Sequence, residues 1–138
     1  MTNHAVLSAS ASHRWLNCPP SVRLTEKLED KVSTYALEGT DAHELCAYLV
    51  ETALGRKARD PTENLTFYNE EMQHCAEEYR NYVVEQIEIA KTYSRDPTVL
   101  VEQRLDFSKW VPEGFGTGDC IIVADGLLQI IDYKHGLG

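Results

Sequence analysis

The dipeptide Asp125-Gly126, set between Ile121-Ile-Val123 and Gln129-Ile-Ile131, constrains this chain more than any other feature. Asp-Gly between two β-rich runs signals a hairpin closed by a two-residue turn, with both turn residues at positive φ. With that turn at its centre, the hairpin sets Asp119 directly opposite Asp132, and the two-residue period of a strand puts Lys134 on the face of Asp132. Directly opposed side chains lie about 5 Å apart, where like charges repel. Two facing carboxylates in an apolar hairpin therefore call for a cation between them, and a divalent metal with oxygen ligands is the natural candidate. The alternative is an exposed edge whose charges are solvated. Against it, Cys120, Ile122, Ala124, Leu127, Ile131 and Tyr133 make the other face apolar as well, and strands apolar on both faces are usually buried.

Upstream of the hairpin the pattern is helical. Residues 8–17 read as a short helix, with Ser8 or Ser10 as N-cap, Trp15 and Leu16 buried, and Pro19-Pro20 as terminator. A polar segment over 25–34 reads as exposed loop or irregular helix. A second helix is expected over 40–55, capped by Thr40 and closed by Gly55, with Ala42, Leu45, Leu49 and Ala53 as its apolar stripe. After a polar linker over 56–65, a long helix is expected from about 69 to 91. Met72, Cys75, Ala76, Tyr79, Val83, Ile87 and Ala90 follow its period. Asp96-Pro97 breaks the chain, and the alternation over 99–107 predicts a strand that carries Glu102. The fold class is thus α/β, in the α+β order ααα-βββ. A single domain over 1–138 is expected, helical over 1–95 and sheet-forming over 96–138.

Composition bounds the function. Hydrophobic residues make up 43% and charged residues 25%, enough apolar content for a core. The N-terminus has no basic segment followed by an apolar run, and no stretch approaches the roughly 20 apolar residues of a membrane span. A cytoplasmic protein without membrane attachment is expected. The net charge of −9 argues against broad attraction to nucleic acid, although a carboxylate metal site is itself acidic and local patches can differ from the total. Cys18, Cys46, Cys75 and Cys120 lack CxxC spacing, so neither a zinc ribbon nor a disulfide framework is indicated. Cys46, Cys75 and Cys120 occupy apolar positions and read as small core residues, whereas Cys18 precedes Pro19-Pro20 at a helix end.

Gly116-Thr-Gly-Asp119 followed by Ile131-Asp132-Tyr133-Lys134 resembles the second and third core strands of the RecB-like branch of the PD-(D/E)XK nuclease superfamily. Those strands carry Gly-x-x-Asp and Asp-Tyr-Lys. Gly39-Thr-Asp-Ala-His43 is similar to that branch's upstream helical motif, Gly-x-x-x-His. Ser8-Ala-Ser-Ala-Ser-His-Arg-Trp15-Leu-Asn-Cys18-Pro resembles the opening of phage-borne RecB-like proteins related to CRISPR-associated exonucleases and helicase–nuclease subunits. The resemblance implies a restriction-endonuclease-like core, a mixed sheet flanked by helices. It also implies a metal-dependent DNA nuclease, exonuclease-like, acting in phage or prokaryotic DNA processing. Asp119 and Asp132 would hold Mg²⁺ or Mn²⁺, with His43 and the Tyr133 main-chain carbonyl as further ligands. Lys134 would orient or deprotonate the attacking water. Glu102 is a candidate additional acidic residue, and Cys18 matches a ligand of the [4Fe–4S] cluster that many such proteins carry.

Two departures shape these expectations. The sequence stops at Gly138, where the family continues into a Gln-x-x-x-Tyr helix and a further strand, and three C-terminal cysteines are absent. The core is therefore expected to be C-terminally incomplete, either as a fragment or as a naturally short chain, and a cluster is expected only in a longer form. A rival reading is a non-catalytic nuclease-fold module that binds or assembles, completed by a protein partner or by self-association. A third is a metal-dependent hydrolase of another substrate, favoured only by the acidic charge.

Overall fold

The structure, a computed structural model, describes residues 5–28 and 31–136. Helices α1 (Ser12–Asn17), α2 (Ser21–Thr25), α3 (Thr34–Ala53) and α4 (Glu70–Ala90) precede strands β1 (Thr98–Asp106), β2 (Phe115–Ala124) and β3 (Leu127–Ile131). The strands form one sheet in the order β1-β2-β3, the expected succession of helices and then strands. Two compact units result, one from the chain up to Lys31 with Arg104–Thr117, the other from Val32–Gln103 with the chain from Gly118 onward. No helix among the described residues is long and apolar enough to cross a membrane.

The larger unit is built on α3 packed against α4. α4 starts where the sequence predicts, because the Asn69 side chain accepts the Met72 N–H at 2.8 Å and Glu70 and Glu71 sit in the positive first turn. α3 begins a turn and a half earlier than Thr40. Ser33 is its cap, accepting the Ala36 N–H at 3.1 Å, and the Thr40 hydroxyl instead donates to the Ala36 carbonyl within the helix. Glycine at 39 weakens a helix without ending it, so the earlier cap wins. The C-terminus matches the prediction. Gly55, at φ 71°, donates to Thr52 while Arg56 N–H reaches Glu51, a Schellman closure. The buried stripe is Ala42, Leu45, Cys46 and Val50, and Ala53 is exposed, contrary to expectation. The linker after α3 is less polar than its composition suggests, since Leu65 is buried beside Met72.

The hairpin has the predicted register, from Cys120 opposite Ile131 to Ala124 opposite Leu127. Its turn differs from the prediction in one respect: Gly126 takes a φ of 73°, whereas Asp125 stays at negative φ. A single glycine, lacking a Cβ, supplies the reversal. Burial of both faces holds only in part. Cys120 and Ile122 pack with Val50, Val83 and Ile87 in one cluster, and Ile121 on the outer face is 5% exposed, but Leu128 and Ile130 on that face are 64% and 63% exposed. A second cluster joins Leu45, Cys46, Met72 and Ala76, and Tyr79 packs against both. Arg56 donates to the Val99 carbonyl at 2.7 Å, tying the end of α3 to β1.

In the smaller unit α1 starts at Ser12, not at Ser8 or Ser10. Ala11 precedes it with no side-chain cap, and the Ser8 carbonyl is already engaged by the Trp15 indole N–H at 2.9 Å. Trp15 is half-buried and Leu16 is 67% exposed, so the expected burial of Leu16 does not occur in so short a helix. Pro20 opens α2, a helix absent from the sequence reading, because proline's fixed φ suits a helix start as well as a stop. The expected loop over 25–34 begins at the end of α2 and gives way to α3 at Thr34; its residues 29 and 30 lie outside the described residues.

Candidate metal centre

Three elements of the larger unit bring a possible ligand set together. His43 comes from the middle of α3, Glu102 from β1 and Asp119 from β2. One ligand atom from each lies within 4.8 Å of the others. Two ligands about 2.1 Å from a shared ion are at most about 4.2 Å apart, so a small inward movement suffices to enclose one. One imidazole and two carboxylates suit Mn²⁺, and Mg²⁺ with water completing its shell.

Helix and sheet registers produce this convergence. Asp119 sits one residue beyond the last paired position of the hairpin, where its carboxylate is free of the ladder but only 11% exposed. Its Oδ2 accepts the Tyr133 main-chain N–H at 2.7 Å, and its Oδ1 lies 3.3 Å from His43 Nδ1. Glu102 takes a φ of 49° within β1, rare for a residue with a Cβ.

The charges are mutually tuned. Hydrogen bonding to Asp119 raises the pKa of His43 above its ordinary 6.5 against the opposing effect of burial, and the negative charges of Asp119, Glu102 and Asp132 add to the rise. Burial alone would push Asp119 up; the His43 and Tyr133 hydrogen bonds, with the positive charges of His43 and Lys134, hold it below the usual carboxylate range. Glu102 is shifted up by burial first and by Asp119 second, with His43 opposing. Although much of Glu102 is open to solvent, its carboxyl feels the interior and a neighbouring anion. A divalent cation would relieve that repulsion.

Asp132 is separate from this trio. Its Oδ2 pairs with Lys134 Nζ at 2.6 Å, and both side chains are largely exposed. That ion pair raises the Lys134 pKa. Lys134 thus pairs directly with Asp132, while Asp119 is compensated first by His43 and Tyr133 and to a smaller extent by the Lys134 charge. The Tyr133 ring meets His43 edge-on at 5.6 Å and Tyr79 at 5.2 Å. Burial lifts its hydroxyl pKa to about 12. Cys18 lies in the smaller unit as an exposed free thiol. Cys46 and Cys120 are buried, with thiol pKa values pushed by burial to about 12 and about 11, as expected of inert core residues, while Cys75 is only half-buried.

Two residues that sequence reasoning did not single out complete the surroundings. His135 Nδ1 is 3.0 Å from the Tyr133 hydroxyl, and its Nε2 is 3.3 Å from Glu38 Oε1. Glu38 is far from His135 along the chain, so only the tertiary fold reveals the pairing. A cleft of about 660 Å³ opens here, lined in part by Glu38, Tyr79, Tyr82, Tyr133 and Lys134.

No solved structure matches the chain. The sequence pattern of a family described as a protein of unknown function, DUF2800, matches residues 4–138, and the chain belongs to that family.

Proposed function

We propose that this chain is a metal-dependent DNA nuclease of the RecB-like PD-(D/E)XK type, hydrolysing phosphodiesters in exonuclease fashion. The observation that carries the reading is the convergence of His43, Glu102 and Asp119 on one point, with Lys134 close enough for its charge to act on Asp119. A bound Mg²⁺ or Mn²⁺ would lower the pKa of water and offset charge on the scissile phosphate. His43, Glu102 and Asp119 would hold the ion. The Tyr133 N–H fixes one oxygen of Asp119 and leaves the other directed at the imidazole. Lys134, charged and held by Asp132, would face the developing negative charge on phosphate. Asp132 and the Tyr133 carbonyl would join the ligand set only if Asp132 releases Lys134. Nothing in this reading uses an iron–sulfur cluster, for which Cys18 supplies a single thiol.

The test is Mn²⁺-dependent cleavage of labelled single- and double-stranded DNA, with Asp119→Ala and Lys134→Ala in parallel. Cleavage lost in both variants supports the proposal. A second reading, a nuclease-fold module that binds a partner without catalysis, draws on the net charge of −9. Absence of both cleavage and Mn²⁺ binding would favour it.

A further inference from the structure

We propose that the loop from Phe107 to Gly114, in the smaller unit, is a contact surface for single-stranded nucleic acid, with Trp110 stacking on a base and Lys109 meeting the backbone phosphate. Trp110 is 74% exposed, the reverse of where a folded chain usually keeps an indole. A floppy loop could leave a tryptophan outside by default, but this loop is tightly built. Phe107 N–H donates to the Gly114 carbonyl at 3.0 Å, and the Phe107 carbonyl accepts from both Trp110 and Val111. Gly114 N–H returns to Val111 at 2.8 Å. Phe107 folds against Gly114 so closely that a Cβ there would meet its ring at 2.6 Å and the Val111 carbonyl oxygen at 2.7 Å. Glu113 beside it holds a φ of 54°, a left-handed conformation strained for a residue with a Cβ. The chain thus accepts strain in a loop whose outward product is one large aromatic ring.

The chemistry around that ring selects the partner. Lys109 Nζ sits 5.5 Å from the Trp110 centroid, placing a cation and a flat π-surface side by side. The Arg104 guanidinium lies 4.1 Å over the Phe115 ring where the strands enter and leave the loop. Aromatic surface interleaved with basic groups is the pattern that binds unpaired nucleotides, since every base has a π-face and every linkage a phosphate. Between Arg104 and Thr117 the two basic residues Arg104 and Lys109 match the two acidic ones Asp106 and Glu113, so the segment is neutral in a chain of net charge −9. Within three residues of the indole the exposed side chains of Ser108, Lys109 and Glu113 are polar, so the cation beside the ring favours a stacked base with its phosphate over a purely apolar contact.

The proposal shares with the nuclease reading only the kind of polymer, and it is tested without metal. The chain is titrated in EDTA with a single-stranded oligothymidylate while tryptophan emission is followed, and affinity is read from the anisotropy of a labelled strand. Quenching is expected in the wild type and in Trp15→Phe. Trp110→Ala should lose the quenching and bind about tenfold more weakly, and Trp110→Phe should recover most of the affinity. Lys109→Gln should reduce the slope of log affinity against log salt by about 0.7. Equal binding by wild type and Trp110→Ala overturns the proposal, as does absence of binding by a folded wild type. Quenching by phosphatidylserine vesicles but not by DNA overturns it in favour of a membrane contact. Quenching with neither Mn²⁺-dependent cleavage nor Mn²⁺ binding would remove the nuclease reading and leave this one standing.

Discussion

Tyr133 donates its main-chain N–H to Asp119 Oδ2 at 2.7 Å, just past the last paired residues of the hairpin. Orientation of Asp119 is thereby a property of the backbone, independent of which side chain stands at 133, whereas its charge belongs to the carboxylate alone. Asp119→Asn keeps an acceptor for that N–H and deletes the charge. Its Mn²⁺ affinity, measured calorimetrically, should fall by more than the about 10–100-fold that an outer partner of a metal ligand costs. In the metal-free protein its His43 should titrate closer to 6.5, as read by NMR, because the hydrogen bond that raises it is weakened. Unchanged Mn²⁺ affinity would remove Asp119 from the site.

The His43 shift fixes a sign for pH dependence. Its folded pKa is raised, so the metal-free protein gains stability from the protonated imidazole. That gain is complete below 6.5 and is lost as pH rises through the higher folded value. Asp119, whose pKa is lowered, contributes above its ordinary 3.8 and loses that contribution as pH falls through its folded value. Melting temperatures without metal should therefore decline from pH 6 to pH 8, and less so in His43→Gln. Mn²⁺ binding should follow the opposite course, strengthening with pH as the proton leaves the ligand nitrogen. A melting profile identical in wild type and His43→Gln would contradict the assignment.

Gly114→Ala places a methyl group into the Phe107 ring and the Val111 carbonyl. A backbone oxygen and a packed ring have little room to yield, so a loss of about 1–3 kcal/mol is expected in urea unfolding. An alanine variant as stable as wild type would show that the loop relaxes freely.

Core and outer sheet face should respond oppositely to truncation. Leu45→Ala and Met72→Ala empty positions with no solvent exposure and should each cost about 2–5 kcal/mol. Leu128→Thr and Ile130→Thr replace exposed side chains and should change stability within about 0.5 kcal/mol. A large loss at Leu128 would mean that this face is covered in solution.

What the sequence made legible was local. The hairpin register follows from a two-residue turn, and α4 from a cap, an acidic first turn and an unbroken apolar period. The start of α3 was obscured because Thr40 resembles a cap as well as Ser33 does, and the turns between them are largely exposed, so no apolar period marks them as helix. The approach of Lys134 to Asp132 could be read from strand alternation. Glu102 could be read as a candidate acidic residue, but its convergence with His43 and Asp119 joins three elements distant in the chain. Glu38 and His135 were invisible for the same reason, as contacts between distant parts of the chain.

Gly39 sits inside α3 with nothing within 4 Å of the place its Cβ would occupy. Neither a turn nor a close packing contact requires glycine there. An alanine should fit and stabilise the helix by about 1 kcal/mol, measurable as a shift in urea midpoint. The glycine one helical turn before His43 therefore leaves in α3 a reserve of stability that a single methyl group would release.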